Sequence, residues 1–525
     1  MKTVTRHVLA VITGVACLIG CVAASHAAEP AGLLLHTRTR TEVAPGTNHF
    51  HSVIRPVEWS PAETCIVVCD MWDNHWCPQS AQRVAEMAPR MNQVISEARK
   101  RGVFIIHCPS DTMDFYKDTP QRKLAQAAPM VSTEIPLERW IRLVPEREGS
   151  QLPIDDSDGG CDCSPQTKNY RAWSRQHPAI EIAEQDAITD NAEAFYLMKQ
   201  RGIRNVIVMG VHTNICVLGR PFSIRQMVRQ GQNVVLMRDM TDTMYNPERA
   251  PFVSHFTGTD LVVEHIEQHW CPTITSTDLV GGTPFQFAAD TRPHIVMVIS
   301  EPEYKTEVSL TEFARRELGK EFRVSLVYGD AAEGSDLPGL DVLKSADLML
   351  VSLRRRTLKP DQLQQIRDFI AAGKPVVGIR TSSHAFCLRD KPAPEGRSDW
   401  PEFDRDVIGG SYTNHHGNGP LTRVTLASES PFHSSLLEGV DVANLIGKGS
   451  LYKVSPLQAT AVPVLIGEID GAPQEPIAWV NRRADGGSTF YTSFGHVGDF
   501  EQSAFRRLLK NACTALLAET QTPAR

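Results

Sequence analysis

The sequence predicts an α/β protein of two successive three-layer α/β/α domains with mostly parallel sheets, and three observations carry that expectation. The first is a recurring order of amphipathic helix, glycine and short β-branched strand. From Val84 the apolar residues Met87, Ala88, Met91, Ile95 and Ala98 fall on one helical face. Gly102 follows as a C-cap, and 103–106 reads as a buried strand. The second is repetition of that order: Gly202 precedes a strand at 206–209, Gly231 one at 234–237, and Gly373 one at 375–379. Such alternation implies parallel strands joined by helical crossovers that cover both faces of the sheet. The third is a break at Gly281-Gly282-Thr283-Pro284, after which 295–299 starts a fresh strand and Ser309-Leu310-Thr311-Glu312 reads as a capping box. The first domain is therefore expected over 45–280, a linker over 281–291, and the second domain over 292–520.

A chain of 525 residues is too long for one ordinary domain. It is 42% hydrophobic and 22% charged, as soluble globular proteins are, and its net charge is -7. Without a concentrated basic patch no nucleic-acid partner is expected, and Arg354-Arg355-Arg356 reads as a solvated loop. The first 28 residues read as a targeting segment. Lys2, Arg6 and His7 precede an apolar run over 8–24, and Ser25-His26-Ala27 offers a small-residue cleavage site. Leu18-Ile19-Gly20-Cys21 also resembles a bacterial lipobox, which would acylate Cys21. An exported protein is expected, either periplasmic or a lipoprotein held at the membrane through Cys21 alone. No later run reaches the roughly 18 apolar residues of a membrane span. Of 12 cysteines, Cys17 and Cys21 fall in this segment, and the others are too dispersed for a disulfide scaffold. Cys161-Asp162-Cys163 lacks Cys-x-x-Cys spacing and reads as a loop, open to a disulfide.

Ligands of parallel sheets bind beyond the carboxyl ends of the strands. Cys65-Ile66-Val67-Val68-Cys69 runs into Asp70, 103–106 into His107-Cys108, and 206–209 into Gly210-Val211-His212-Thr213-Asn214-Ile215-Cys216. A cysteine after such a turn sits at a helix start, where backbone N–H groups favour a thiolate and hold an oxyanion. Asp70 would take the thiol proton. The competing reading makes Cys216 a small buried hydrophobe and Asp70 a cap.

The stretch Gly210-Val211-His212-Thr213-Asn214-Ile215-Cys216-Val217, with the strand ending in Asp70, resembles the isochorismatase-like cysteine hydrolases over 60–270. That resemblance implies an Asp, Lys and Cys triad, with Asp70 as base, Cys216 as nucleophile and a cis peptide at Val211–His212. It implies attack on an amide or related C–N bond through a thioester, although isochorismatase itself cleaves an enol ether without a nucleophile. The family's lysine precedes the cysteine after a short strand, where this chain has Ile180-Glu181-Ile182-Ala183-Glu184-Gln185-Asp186; Lys168 and Lys199 lie outside that place. His177, Arg171 or Arg175 stand as substitutes, and His212 as a substrate contact. Trp72, His75 and Trp76 would wall a pocket, and Arg220-Pro221-Phe222 reads as an ordinary helix start. The metal-binding pattern of nicotinamidases is missing after His107, so neither metal nor cofactor is expected. The expected partner is a small-molecule substrate, and a homo-oligomer is compatible with the composition.

In the second domain, Gly373-Lys374-Pro375-Val376-Val377-Gly378-Ile379-Arg380-Thr381-Ser382-Ser383-His384 is a strand entering a sharp turn. It resembles the nucleophile strand of class I glutamine amidotransferase-like domains, with Arg380 where their cysteine would be, which argues against amidotransfer. With Trp400-Pro401-Glu402-Phe403, Gly409-Gly410, His415-His416 and the run from Phe490 to His496, residues 292–518 resemble ThuA-like domains, associated with trehalose utilisation and sugar metabolism. Arg380, His384, His415 and His496 are expected to meet at the strand ends around a polar or anionic ligand. The alternative leaves His415-His416 as a surface pair and His496 as a satisfied loop residue. Two functions follow: a hydrolase of small C–N-containing substrates, or a ligand-binding protein with an impaired hydrolase domain whose second domain handles a sugar derivative.

Overall fold

The computed structural model describes residues 32–521 and Met1. The targeting segment, Cys21 included, lies outside the described residues apart from Met1. Eight strands make the first sheet: β1 (Leu33–Glu42), β2 (Phe50–Trp59), β3 (Thr64–Cys69), β4 (Phe104–Cys108), β5 (Ala187–Ile188), β6 (Asn205–Val211), β7 (Asn233–Asp242) and β8 (Thr273–Ile274). Their order is β2-β1-β8-β7-β6-β3-β4-β5. The pairings from β8 to β5 are all parallel, and the β1–β2 hairpin adds an antiparallel edge.

Both faces of this sheet are covered, because successive side chains of a strand point opposite ways and β3 is apolar at nearly every position. Cys65, Val67 and Cys69 enter one core with Val262 and Ile266 of the helix His255–His269. Ile66 and Val68 enter the other, against the helix Pro78–Lys100. That helix buries Val84, Met87, Ala88, Met91, Val94, Ile95 and Ala98, the face read from the sequence. Each larger aliphatic side chain contributes about 1.5–3 kcal/mol on burial. The first sheet starts at Leu33, ahead of the boundary drawn at 45, and the alternating buried and exposed residues at the start of β1 suit a strand with one face covered.

The second sheet has nine strands. β9 (His294–Ser300), β10 (Arg323–Tyr328), β11 (Leu348–Leu353) and β12 (Val376–Ile379) pair in parallel, and β12 pairs in parallel with Ser488–Thr492. The antiparallel strands Glu475–Arg482, Ala461–Glu468, Thr422–Leu426 and Ile446–Gly447 extend it. The same alternation holds: Ile295, Met297 and Ile299 face the C-terminal helix Ser503–Gln521, while Val296 and Val298 face the helix Pro360–Ala371. The α/β class with two successive layered domains is thus the observed one. The helix expected to open at Ser309 instead spans Thr306–Phe313, with Ser309 buried inside it and Lys305 at its cap, so no capping box forms there.

Residues 127–186 form a largely irregular segment over the first domain, anchored at Glu148. Arg225 donates to both Glu148 oxygens at 2.8 Å, and Trp270 Nε1 and the Val144 N–H donate at 2.9 Å. His265 Nε2 shares a further bond of 2.9 Å. Burial opposes the charge, but the His265, Arg225 and Trp270 hydrogen bonds outweigh it and hold the carboxyl at about 2, below its ordinary 4.5. A depressed folded pKa stabilises above pH 4.5, and the contribution is lost as pH falls toward 2. Glu148→Gln is expected to lower stability at neutral pH by roughly 3 kcal/mol and to flatten its decline below pH 4.5, measured by urea unfolding across pH.

Candidate active site

The carboxyl ends of β3 and β6 come together because Gly210 has no side chain. A Cβ there would meet the Cys69 carbonyl oxygen at 2.0 Å, and its φ of +115° is open to glycine. Asp70 follows β3 at φ +46°, a left-handed position that Asp tolerates better than most residues. The turn after β6 carries the cis peptide Val211–His212 that the family resemblance implied. It is tied to β7, where the Thr213 N–H donates to the Asp242 carbonyl at 2.8 Å and the Thr241 hydroxyl to the Gly210 carbonyl at 2.8 Å. Asn214 accepts from the Met244 N–H at 2.9 Å and donates to Asp156 at 2.8 Å. The turn therefore delivers Cys216 to the start of the short helix Cys216–Gly219.

Asp70 and Cys216 meet. Asp70 is fully buried, Cys216 is 5% exposed, and their side chains are close enough to act on one another electrostatically. The Ser110 N–H donates to the other Asp70 oxygen at 2.7 Å. The cation completing the group is Arg220, whose Nε lies 3.3 Å from Asp70 Oδ2 and whose charge also acts on the Cys216 sulfur. Burial raises the Asp70 pKa, and Arg220 acts against that rise. Burial likewise pushes the Cys216 thiol far up; the Asp70 charge adds to this, and Arg220 opposes both. The resting state these forces favour is a thiol, with Arg220 beside the Asp70 carboxyl. Arg220 also lies over the Trp140 ring at 5.4 Å and 3.7 Å from Asp111.

The substitutes expected for the missing lysine do not meet Asp70. His177 is a loop residue whose Nδ1 accepts from the Ala179 N–H, Arg175 pairs with Asp73, and Arg171 donates to the Asp111 carbonyl. His212 Nε2 bonds the Ser80 hydroxyl at 2.6 Å, with its ring edge-on to His75. Trp72 stacks on Trp173 at 4.3 Å, and Trp72, His75 and Trp76 are all buried. Arg220 is the residue missed. It stands one helical turn beyond Cys216, and only its approach to Asp70 across 150 positions of chain reveals it as a partner of the group.

In the second domain Arg380 occupies the sharp turn after β12 at φ +41°. It donates to the Ser493 carbonyl at 2.8 Å and the Tyr304 hydroxyl at 3.1 Å, and lies over the Tyr304 and Tyr452 rings at 4.3 and 4.7 Å. His496 meets Tyr304, His384 meets Tyr412 and Tyr452, and His415 is the cross-strand partner of Tyr452. The four predicted residues are thus grouped through tyrosines rather than in direct contact. His416, by contrast, bonds Glu475 at 3.1 Å. Burial, followed by the nearby Arg355 and Arg354, lowers the His384 pKa to about 3, so this imidazole is neutral at physiological pH.

Residues 295–514 match the ThuA family model, described as trehalose utilisation. No curated protein matches the chain. Among solved structures, a ThuA-like protein from Bacteroides uniformis is 15% identical, with 44% of this chain and 94% of that one covered and a TM-score of 0.32. A cysteine hydrolase from Pseudomonas syringae pv. phaseolicola is 16% identical, covering 43% and 94%, at a TM-score of 0.27. An isochorismatase family protein from Burkholderia thailandensis is 15% identical, covering 42% and 94%, at 0.24.

Removing one partner of a buried ion pair strands the other charge. Arg220→Met should therefore destabilise the protein by about 3 kcal/mol in chemical unfolding, and adding Asp70→Asn should recover much of that loss. Additive effects of the two substitutions would show that the pair is not coupled.

Proposed function

We propose that the chain is an exported hydrolase in which Cys216 attacks the electrophilic carbon of a small amide or related C–N substrate. The carrying observation is that buried Asp70 and Cys216 and the partly buried Arg220 come together at the ends of β3 and β6. As the sulfur–carbon bond forms, the thiol proton passes to Asp70, and Arg220 balances the negative charge shared by the two side chains. Collapse of the tetrahedral adduct breaks the C–N bond, and Asp70 returns the proton to the leaving nitrogen. Water, deprotonated by Asp70, then cleaves the thioester and restores the thiol. The N–H of Cys216, at a helix start without an intrahelical acceptor, is suited to the developing oxyanion. The irregular segment over the domain limits water at the thioester.

The second domain is read as a pocket for a polar, hydroxyl-rich small molecule, in keeping with a sugar derivative. Its support is Arg380 set among Tyr304, Tyr452 and Tyr412, since aromatic faces and a fixed guanidinium suit such ligands. In the alternative reading this pocket carries the function, and the first domain only binds. That reading draws on the depth of Cys216 and the strong elevation of its pKa.

A panel of small primary amides, ureido acids and N-carbamoyl compounds, assayed for released ammonia, tests the reading. Turnover is expected to disappear in Cys216→Ala and to fall about 10²–10⁴-fold in Asp70→Asn, the usual contribution of a positioned general base. Undiminished turnover in Cys216→Ala would remove the nucleophile assignment.

A further inference from the structure

A second group of thiols lies behind the wall of the candidate active site. Cys77 caps the helix Pro78–Lys100, and Cys161 and Cys163 come from the irregular segment. The sulfur atoms of all three lie within 4.8 Å of one another, Cys77 to Cys163 at 3.7 Å. All three are free thiols. Two sulfurs bound tetrahedrally at the usual zinc–sulfur distance of 2.3 Å stand about 3.8 Å apart. The spacing is therefore that of ligands around a common ion.

The group is held in place by its surroundings. Gln166 donates to the Cys161 carbonyl at 2.8 Å, the Thr167 hydroxyl to the Trp76 carbonyl at 2.7 Å, and the Cys77 N–H to His75 Nδ1 at 3.1 Å. Asp162 sets Oδ1 3.5 Å from the Cys77 sulfur. Its Oδ2 receives Arg83 Nη1 at 2.8 Å and lies 3.3 Å from His255 Nδ1. These bonds fix Asp162 beside the thiols as an outer-shell partner. The start of a long helix also offsets part of the negative charge that three thiolates would bring. Cys163 is half-buried, which opens the group to solvent on one side.

We propose that Cys77, Cys161 and Cys163 form a binding site for a thiophilic divalent cation of the zinc class. Sulfur ligands select such ions over magnesium or calcium. The ion takes three protein sulfurs and leaves the fourth position of its tetrahedron to water. It fastens the loop around 158–167 to Trp76 and Cys77, whose cluster packs against Trp173 and against Ile215, the residue before Cys216. The site is independent of the proposed hydrolase chemistry.

The test uses the full chain, reduced and freed of metal with a chelator. Titration with cobalt(II) is expected to give thiolate-to-cobalt charge-transfer absorption that saturates at one ion per chain and is bleached by zinc. Cys77→Ser and Cys163→Ser should each lose it, and Cys216→Ser should keep it. In the unmutated protein, zinc should slow iodoacetamide labelling of Cys163 at least about tenfold while leaving the half-buried Cys387 unaffected. Absence of the absorption, its persistence in both serine variants, or unchanged labelling of Cys163 would overturn the site. So would a peptide map joining two of the three cysteines as a disulfide.

Discussion

A carboxylate sealed from water keeps its charge only beside a cation, and Asp70 meets that condition through Arg220. The surrounding architecture serves this pair. Gly210 lets β6 close on Cys69, which sets Asp70 opposite the turn that follows β6. That turn, tied to β7 by Thr213 and Thr241, leads into Cys216, and the helix beginning there ends where Arg220 reaches back. Burial alone would neutralise Asp70 and disable the thiol. Arg220 works against both effects.

Much of this was legible in the sequence because it rests on local pattern. The helical face from Val84 to Ala98 and the strands before Asp70 and before Cys216 have signatures within a few residues, while the cis peptide of the turn was implied by the family resemblance of the Cys216 segment. The cation was not legible in the same way. Arg220 looked like a helix-start residue because its partner belongs to another strand, and pairing across a sheet leaves no local trace. The thiol group was hidden for the same reason, since Cys77 and Cys163 are 86 positions apart. In the second domain the strand and its Arg380 turn were readable. The tyrosines that link Arg380, His384, His415 and His496 came from three separate segments and were not.

The two domains place their candidate sites by one rule. Each site lies beyond the carboxyl end of a parallel strand, at a residue with positive φ: Asp70 after β3, and Arg380 after β12. Where the first turn supplies an acid to a thiol, the second supplies a fixed cation among aromatic rings. The first arrangement suits covalent chemistry, and the second suits recognition.

The central claim is that Arg220 supplies the cation that makes Cys216 ionisable, and its most direct test is the rate of Cys216 alkylation by iodoacetamide, followed by peptide mass spectrometry across pH. An opposite charge at this range shifts a pKa by about 1–3 units. Arg220→Gln is therefore expected to slow labelling at neutral pH by at least about tenfold, and Arg220→Lys to retain most of the rate. Equal labelling of Cys216 in the unmutated protein and in Arg220→Gln would contradict the account.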